Sequence, residues 1–264
     1  MIVSLALSEA NVNRTDAEIL LSAVMNKERT WLLAHPEASI PDPELHAFAA
    51  CIQRRRGGEP VAYIVGRKDF FGRTFFVDPS VLIPRPSTES LVTKALDILD
   101  GKQIAGSETV EEGIAIWAEI HGNAAGVRCI ADIGTGSGCV GITLALERPD
   151  IHVIATDISA AALAVARHNA QHHGVADRMT FVVGSGFDPL EREGERFLLV
   201  SNPPYIPESV PVDRGVRDFE PHAALFAGDR GTDVLEQLVK NARMSARCIG
   251  FVVECRKEQV ELLA

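Results

Sequence analysis

Nowhere in its 264 residues does the chain hold a run of roughly 18 uncharged apolar residues, the length that a membrane span needs. Its N-terminus, MIVSLALSEANVNR, has a short apolar run without the basic segment of a secretory signal. Both absences predict a soluble, untargeted, cytoplasmic protein. There is no CxxC pair among the five cysteines, Cys51, Cys129, Cys139, Cys248 and Cys255. Odd in number and set mostly in apolar runs, they read as buried thiols in a reducing compartment and exclude a disulfide frame or zinc site. Basic excess is lacking too: 26 Lys and Arg stand against 36 Asp and Glu, a net charge of −10. Residues 1–80 carry 9 basic and 10 acidic side chains, and residues 81–264 carry 17 and 26. A protein that neutralises duplex phosphates needs the opposite balance, so DNA is not an expected partner. No repeat or low-complexity tract occurs. With 46% hydrophobic and 23% charged residues, neither a disordered nor a fibrous chain fits. The length suits one large domain, or a small one beside a medium one.

Residues 1–73 read as a helical N-terminal domain. Thr15 followed by Glu18 forms a capping-box pattern, and Ala17, Leu20, Leu21 and Val24 make one apolar stripe. A second helix is predicted with Asp42 as N-cap and Pro43 at its first position, burying Leu45, Phe48, Ala49 and Ile52. It ends at Arg54-Arg55-Arg56-Gly57-Gly58, where cations suit the helix dipole and glycine supplies a left-handed cap. That role accounts for the three arginines without a partner-binding patch. Residues 69–77, DFFGRTFFV, predict a hairpin about Gly72, and 74–86 form the hairpin and linker region.

From 87 to 264 the texture is α/β. An amphipathic helix follows Pro84-Arg85-Pro86, with Leu91, Val92, Ala95, Leu96 and Leu99 on one face. Apolar strands are predicted at 127–133, 151–156, 179–183, 197–201 and 248–254, and helices at 137–147, 159–173 and 231–246. Such strands, separated by helices, predict a doubly wound, mostly parallel sheet covered on both faces. Residues 101–126 interrupt the pattern as a long insertion in which GIAIWAEI reads as helical.

Gly134-Thr135-Gly136-Ser137-Gly138 follows a strand and opens a helix. Glycines at such a turn admit a ligand close to the backbone and leave helix N-terminal N–H groups facing it. Asp157, at the end of the next strand, is placed to take both hydroxyls of a ribose. Gly136, Gly138 and Gly141 also satisfy GxGxxG, so the loop alone leaves NAD and S-adenosylmethionine both open. Asn202-Pro203-Pro204-Tyr205 favours the second. Its prolines remove two N–H donors and leave carbonyls that only accept. The Asn202 side-chain oxygen and the Pro203 carbonyl can accept both hydrogens of a planar –NH2 group, with Tyr205 as a flat wall. Held so, the nitrogen lone pair is free to face an electrophile, a positioning chemistry that needs no metal.

These segments resemble the protein-(glutamine-N5) methyltransferases that modify peptide-chain release factors, the PrmC or HemK family. The likeness runs through EPVAYIVGRKDFFGRTFFVD, VLIPRPSTES, DIGTGSGCVGITLAL, SNPPYIP and VRDFEPHAAL. DNA adenine methyltransferases carry similar Asn-Pro-Pro-Tyr tetrads, so the Ile-Pro-Arg-Pro-x-Thr-Glu and Phe-Glu-Pro segments make the resemblance specific. It implies a class I S-adenosylmethionine-dependent methyltransferase fold. The cofactor, S-adenosyl-L-methionine, with S-adenosyl-L-homocysteine as product, would be bound by Gly134, Thr135, Gly136, Ser137, Gly138, Asp157, Ser185, Gly186 and Asn202. Asn202, Pro203, Pro204 and Tyr205 would hold the glutamine of a Gly-Gly-Gln loop, with Asn202, Pro203 and Tyr205 catalytic. The helical domain would help dock a class I release factor; no DNA and no membrane partner is implied. Other protein glutamines, a nucleic-acid amine, or a non-catalytic docking role are the alternatives.

The chain departs from the family pattern in three places. Gly184-Ser185-Gly186-Phe187 stands where Gly-Asp-x-Phe is usual, so the adenine contact lacks a charge. Ser87 replaces an acidic residue before Thr88-Glu89. The sequence stops at Ala264 in a helix begun near Lys257, whereas the family continues into a terminal hairpin, so one sheet edge is expected to lie open. By resemblance, Glu89 and Glu220 are pocket candidates. Asp132 either orients the glycine loop or reaches the cofactor through water. His168 and His172 sit four apart, but no third ligand is spaced to join them, and Cys139 reads as packing.

Overall fold

The computed structural model describes residues 1–102, 106–111, 113–122, 126–187, 190 and 195–263. They form two compact units, Met1–Arg67 with Val212–Phe219, and Lys68–Pro211 with Glu220–Ala264. The first unit is helical: α1 (Val3–Glu9), α2 (Arg14–Met25), α3 (Arg29–Ala34), α4 (Asp42–Arg56), α5 (Val61–Val65) and the later α9 (Arg214–Phe219). Leu20, Leu21, Leu32, Phe48 and Ile52 form its core, while Ala49 is exposed.

The capping box expected of Thr15 and Glu18 is not made. Asn13 caps α2 by accepting from the Thr15 N–H at 2.9 Å. Glu18 is buried, and its carboxylate takes Arg14 at 2.6 Å and Arg29 at 2.7 Å. Two guanidinium groups offset the desolvation of that carboxylate better than one backbone N–H can. Pro41, not Asp42, is the cap residue of α4. At its far end Arg54 pairs with Glu59, Arg55 with Asp16, and Arg56 donates to the Ala10 carbonyl, while Gly58 takes φ +97°. The arginines thus close this helical unit on itself.

The second unit opens with the hairpin β1 (Arg67–Phe70) and β2 (Arg73–Phe76), turned by Phe71 and Gly72 at φ +51° and +71°, as a two-residue hairpin turn requires. After α6 (Ser87–Leu99) come β3 (Gly106–Glu111), β4 (Ile114–Ile120), β5 (Cys129–Ile133), α7 (Cys139–Glu147), β6 (His152–Asp157), α8 (Ala160–His172), β7 (Met179–Val183), β8 (Phe197–Ser201), α10 (Asp233–Met244), β9 (Cys248–Arg256) and α11 (Lys257–Leu263). The seven-stranded sheet runs β3-β4-β9-β8-β5-β6-β7, with the five strands from β9 to β7 parallel. Alternate residues feed two cores. Ile130, Val153, Leu198 and Val252 pack with α6 and α7, and Ala131, Ile154, Leu199 and Phe251 pack with α10.

The segment GIAIWAEI is a strand, not a helix. β4 lies antiparallel to β9, with Trp117 opposite Val253, and β3 lies antiparallel outside it. The strand escapes a period-two reading because Ala115, Ile116, Trp117 and Ala118 are all buried: Ile116 and Ala118 in one core, Ala115 and Trp117 in the other. The sheet edge beside β9, expected to lie open, is therefore occupied from within the 101–126 insertion. At Gly250 the two backbones approach so closely that a Cβ would strike the Glu119 carbonyl. Trp117 fixes the pairing, edge-on to Phe251 with ring centroids 5.0 Å apart and under the Arg243 guanidinium. Trp117→Ala is expected to cost about 3–5 kcal/mol in urea unfolding, as for a large aromatic lost from a core. A cost near zero would make the hairpin a loose appendage.

Among the described residues no helix is long and apolar enough to cross a membrane. All five cysteines are free; Cys51 alone of them is half-buried and the others are buried.

Candidate active site

The site is built where β5 hands over to α7. Gly134, Gly136 and Gly138 take φ +72°, +54° and +81°, which side chains resist. A Cβ added to Gly134 or Gly136 would meet nothing within 4 Å, whereas at Gly138 it would strike Ile142 Cδ1 at 2.7 Å and at Gly141 Asp132 Oδ2 at 2.8 Å. The first two glycines therefore open space for a ligand, and the last two let the helix pack. The loop is braced from β6: the Gly134 and Thr135 N–H groups both donate to the Thr156 carbonyl at 2.9 Å. Asp157 Oδ2 accepts from Gly136 N–H at 3.0 Å and Oδ1 from Ser159 N–H at 2.9 Å.

Asp132 orients this loop directly. Its Oδ2 accepts from the Thr135 hydroxyl at 2.6 Å and the Gly141 N–H at 3.0 Å. Burial pushes its carboxyl up from 3.8 to about 6, against the pull of those two bonds. Between these values the folded protein holds a proton that the unfolded chain has released. This contribution to stability is full below the unfolded value and is lost as pH rises through about 6. The two-unit gap corresponds to about 3 kcal/mol. Asp132→Asn should flatten that fall, read as the difference between variant and parent in urea unfolding at a series of pH values across this window. Parallel curves would mean that the folded carboxyl titrates normally.

A cavity of about 710 Å³ collects the pieces. It is lined by Gly134, Thr135, Gly136, Ser137, Asp157, Gly184, Ser185 and Gly186, and by Asn202, Pro203 and Pro204 at the end of β8. Its volume suits a nucleoside-sized ligand with room for a second group. Ile158, 63% exposed beside Asp157, adds an apolar wall for a flat ring, and Arg85, just before α6, and Thr88, in its first turn, join them. Gly138 stands behind the loop as the residue capping α7. Cys139 lines the wall with its thiol pushed up to about 12 by burial, which keeps it unreactive.

Two side-chain hydrogen bonds anchor the tetrad. Asn202 Nδ2 donates to Thr88 Oγ1 at 2.9 Å, and the Tyr205 hydroxyl donates to Glu254 Oε1 at 3.0 Å. Tyr205 stands beside the lining residues, its phenol held well above the ordinary value by burial, with Glu254 adding to the effect. Glu254 is fully buried near the end of β9, and burial raises its pKa while hydrogen bonds from Thr88, Tyr205 and Ser87 oppose the rise. Thr88 lies within the Ile-Pro-Arg-Pro-x-Thr-Glu segment, whereas no local sequence pattern marks Glu254.

The other candidates are structural. Glu89 accepts from the Phe71 N–H at 2.8 Å and so holds the β1–β2 turn. Glu220 is buried and takes the Arg85 guanidinium and the Ile83 N–H at 3.1 Å, so it acts on the cavity by fixing Arg85. His168 packs edge-on to Phe76, and His172 against His173.

Two described families match the chain: the PrmC N-terminal domain over residues 3–66 and the methyltransferase small domain over 107–224. The release factor glutamine methyltransferase of Nitratidesulfovibrio vulgaris is 40% identical over 93% of this chain and 76% of its own length. That of Xylella fastidiosa (strain Temecula1) is 38% identical over 96% and 83%. Among solved structures, the hMettl16 catalytic domain in complex with MAT2A 3′UTR hairpin 1 aligns over 88% of this chain and 74% of that one, with TM-score 0.52 and 14% identity, a likeness of fold alone. Identity at this level over almost the whole chain, with both family matches in their proper order, means that the chain belongs to the release factor glutamine methyltransferase family.

Proposed function

We propose that the protein transfers a methyl group from S-adenosylmethionine to the side-chain amide nitrogen of the glutamine in the Gly-Gly-Gln motif of class I release factors, in the cytoplasm, leaving S-adenosylhomocysteine. The observation that carries this reading is one cavity shared by the open glycine loop, Asp157 and the Asn202-Pro203-Pro204 backbone. The residues present fit the cofactor: Gly134 and Gly136 leave room against the backbone, Asp157 offers two oxygens for a diol, and Ser185 offers a neutral donor and acceptor where an acid is usual. Bound there, S-adenosylmethionine supplies an electrophilic methyl group on a sulfonium.

An amide nitrogen is a poor nucleophile because its lone pair is delocalised into the carbonyl. Asn202 Oδ1 and the Pro203 carbonyl accept its two hydrogens, hold the group fixed and favour density on nitrogen as the new bond forms. The two prolines keep those acceptors rigid, so little is spent on reorganisation. One amide proton is then lost to solvent. The helical unit of residues 1–67 helps seat the release factor.

Labelled S-adenosylmethionine with a purified class I release factor tests the reading. Incorporation into the natural release factor, and none into one whose Gly-Gly-Gln glutamine is replaced by alanine, is the expected result. Label that survives the replacement moves the substrate to another glutamine or another amine.

A further inference from the structure

Pro203 and Pro204 have no N–H to give, so the backbone that carries the substrate acceptors is tied down through donors that reach the carbonyls around it. One such donor is Gln259, in the first turn of α11 and 1% exposed. Its Nε2 donates to the Tyr205 carbonyl at 3.0 Å and to the Gly231 carbonyl at 2.9 Å, while its Oε1 accepts from the Arg256 N–H at 2.9 Å. The last bond alone is the ordinary work of a glutamine three residues into a helix. The first two go further: both hydrogens of the amide leave the helix for two other segments of the chain, one of them the tetrad.

Just past the tetrad, the Ile206 N–H donates to the Leu225 carbonyl at 3.0 Å and the Ile206 carbonyl accepts from the Ala227 N–H at 3.1 Å, so the two stretches run side by side. Gly231, at φ +69°, comes closer still: a Cβ there would lie 2.5 Å from the Tyr205 carbonyl oxygen and 2.8 Å from the Pro207 nitrogen. A bare glycine is what lets one amide group span both carbonyls. Tyr205 is thereby held at both ends from the corner where β9 meets α11, its hydroxyl by Glu254 at 3.0 Å and its carbonyl by Gln259. Every polar atom of the glutamine is matched there, since its NH2 only donates and its oxygen only accepts. An acid in its place has at most one hydrogen to give and turns a lone pair toward a carbonyl.

We propose that Gln259 is a positioning residue for methyl transfer: by holding the Tyr205 carbonyl beside Gly231 it fixes the backbone that carries the Pro203 acceptor, a role that rests on the glutamine reading above. Gln259 is not among the residues that line the cavity, so it acts through the tetrad.

The variants are Gln259→Met, which keeps the length of the side chain and removes its hydrogen bonds, and Gln259→Glu, which keeps an acceptor for the Arg256 N–H and gives up donors. Each is expected to lower kcat about 10- to 100-fold, the scale of a reacting group misplaced by about 1 Å, with the calorimetric Kd for S-adenosylmethionine within about threefold. A glutamine that only braced the fold would lower stability and leave the kcat of the folded enzyme alone. Amide exchange supplies a readout that needs no substrate. The Ile206 N–H should exchange about tenfold or more faster in each variant, while the Gly184 N–H, bonded to the Asp157 carbonyl at 3.0 Å at the far side of the sheet, keeps its rate within about threefold. A folded Gln259→Met protein with kcat within twofold of the parent overturns the proposal, and so does one whose Ile206 exchange is unchanged. If Gln259→Met fails to fold, Gln259→Glu is judged by the same two limits. In the parent, a Gln259 side-chain NH2 that exchanges as fast as that of the exposed Gln53 overturns the proposal with no variant at all. Should the parent not methylate the release factor, the substrate reading fails, and the Ile206 exchange still decides whether Gln259 holds the tetrad.

Discussion

Asn202→Ala is expected to lower kcat for glutamine methylation by about 10²- to 10³-fold while S-adenosylmethionine affinity stays within about threefold, the loss seen when one preorganised polar group facing a reacting centre is removed. Asn202 lines the cavity at the end of β8, and its side chain is held by Thr88, so it enters the reaction already oriented. Alanine leaves the Pro203 carbonyl as the single acceptor, and one acceptor fixes the position of an –NH2 group but not its rotation. The loss therefore falls on the chemical step. Single-turnover rates at saturating cofactor, set beside a calorimetric Kd for S-adenosylmethionine, separate the two quantities. A fall of less than tenfold in the rate would assign the positioning to the backbone of Pro203 and Pro204. A parallel loss of cofactor affinity would make Asn202 part of the cofactor site instead.

What could be read beforehand was whatever the backbone itself demands. Gly134, Gly136 and Gly138 declare a left-handed turn, and two consecutive prolines declare a rigid end to β8, so loop and tetrad were both legible and share one cavity. The five parallel strands were legible because each is a short apolar run. The β3–β4 hairpin was not, because β4 is buried on both faces and its partner β9 lies more than a hundred residues downstream. The same distance hid Glu254, which meets Tyr205 across 49 residues and Ser87 across 167. At Glu18 a correct local pattern gave way to a tertiary one: a capping glutamate is short-range, but Arg29 lies eleven residues away and becomes adjacent only when α2 and α3 pack. Asp132 left two roles open from sequence, and its contacts with Thr135 and Gly141 place it under the loop.

Asp157 gives the second large effect, and it concerns binding. Asp157→Ala is expected to weaken S-adenosylmethionine about 10- to 100-fold, the range for hydrogen bonds to a charged acceptor. Each of its oxygens already accepts one backbone N–H, Gly136 on Oδ2 and Ser159 on Oδ1, and each keeps a second lone pair for a ribose hydroxyl. This double use makes the apparently conservative Asp157→Asn a harsh change. Whichever way the new amide is turned, its NH2 points at a backbone N–H, either that of Gly136 in the loop or that of Ser159 at the start of α8. Asparagine should therefore bind cofactor at least tenfold more weakly than the parent, close to alanine, while glutamine methylation at saturating cofactor recovers toward the parental rate. Calorimetric titration of the three proteins with S-adenosylmethionine decides it. An asparagine variant that binds like the parent would mean that Asp157 braces the loop without touching the diol, and would leave the affinity to Ser185, Gly186 and the open backbone of Gly134 and Gly136.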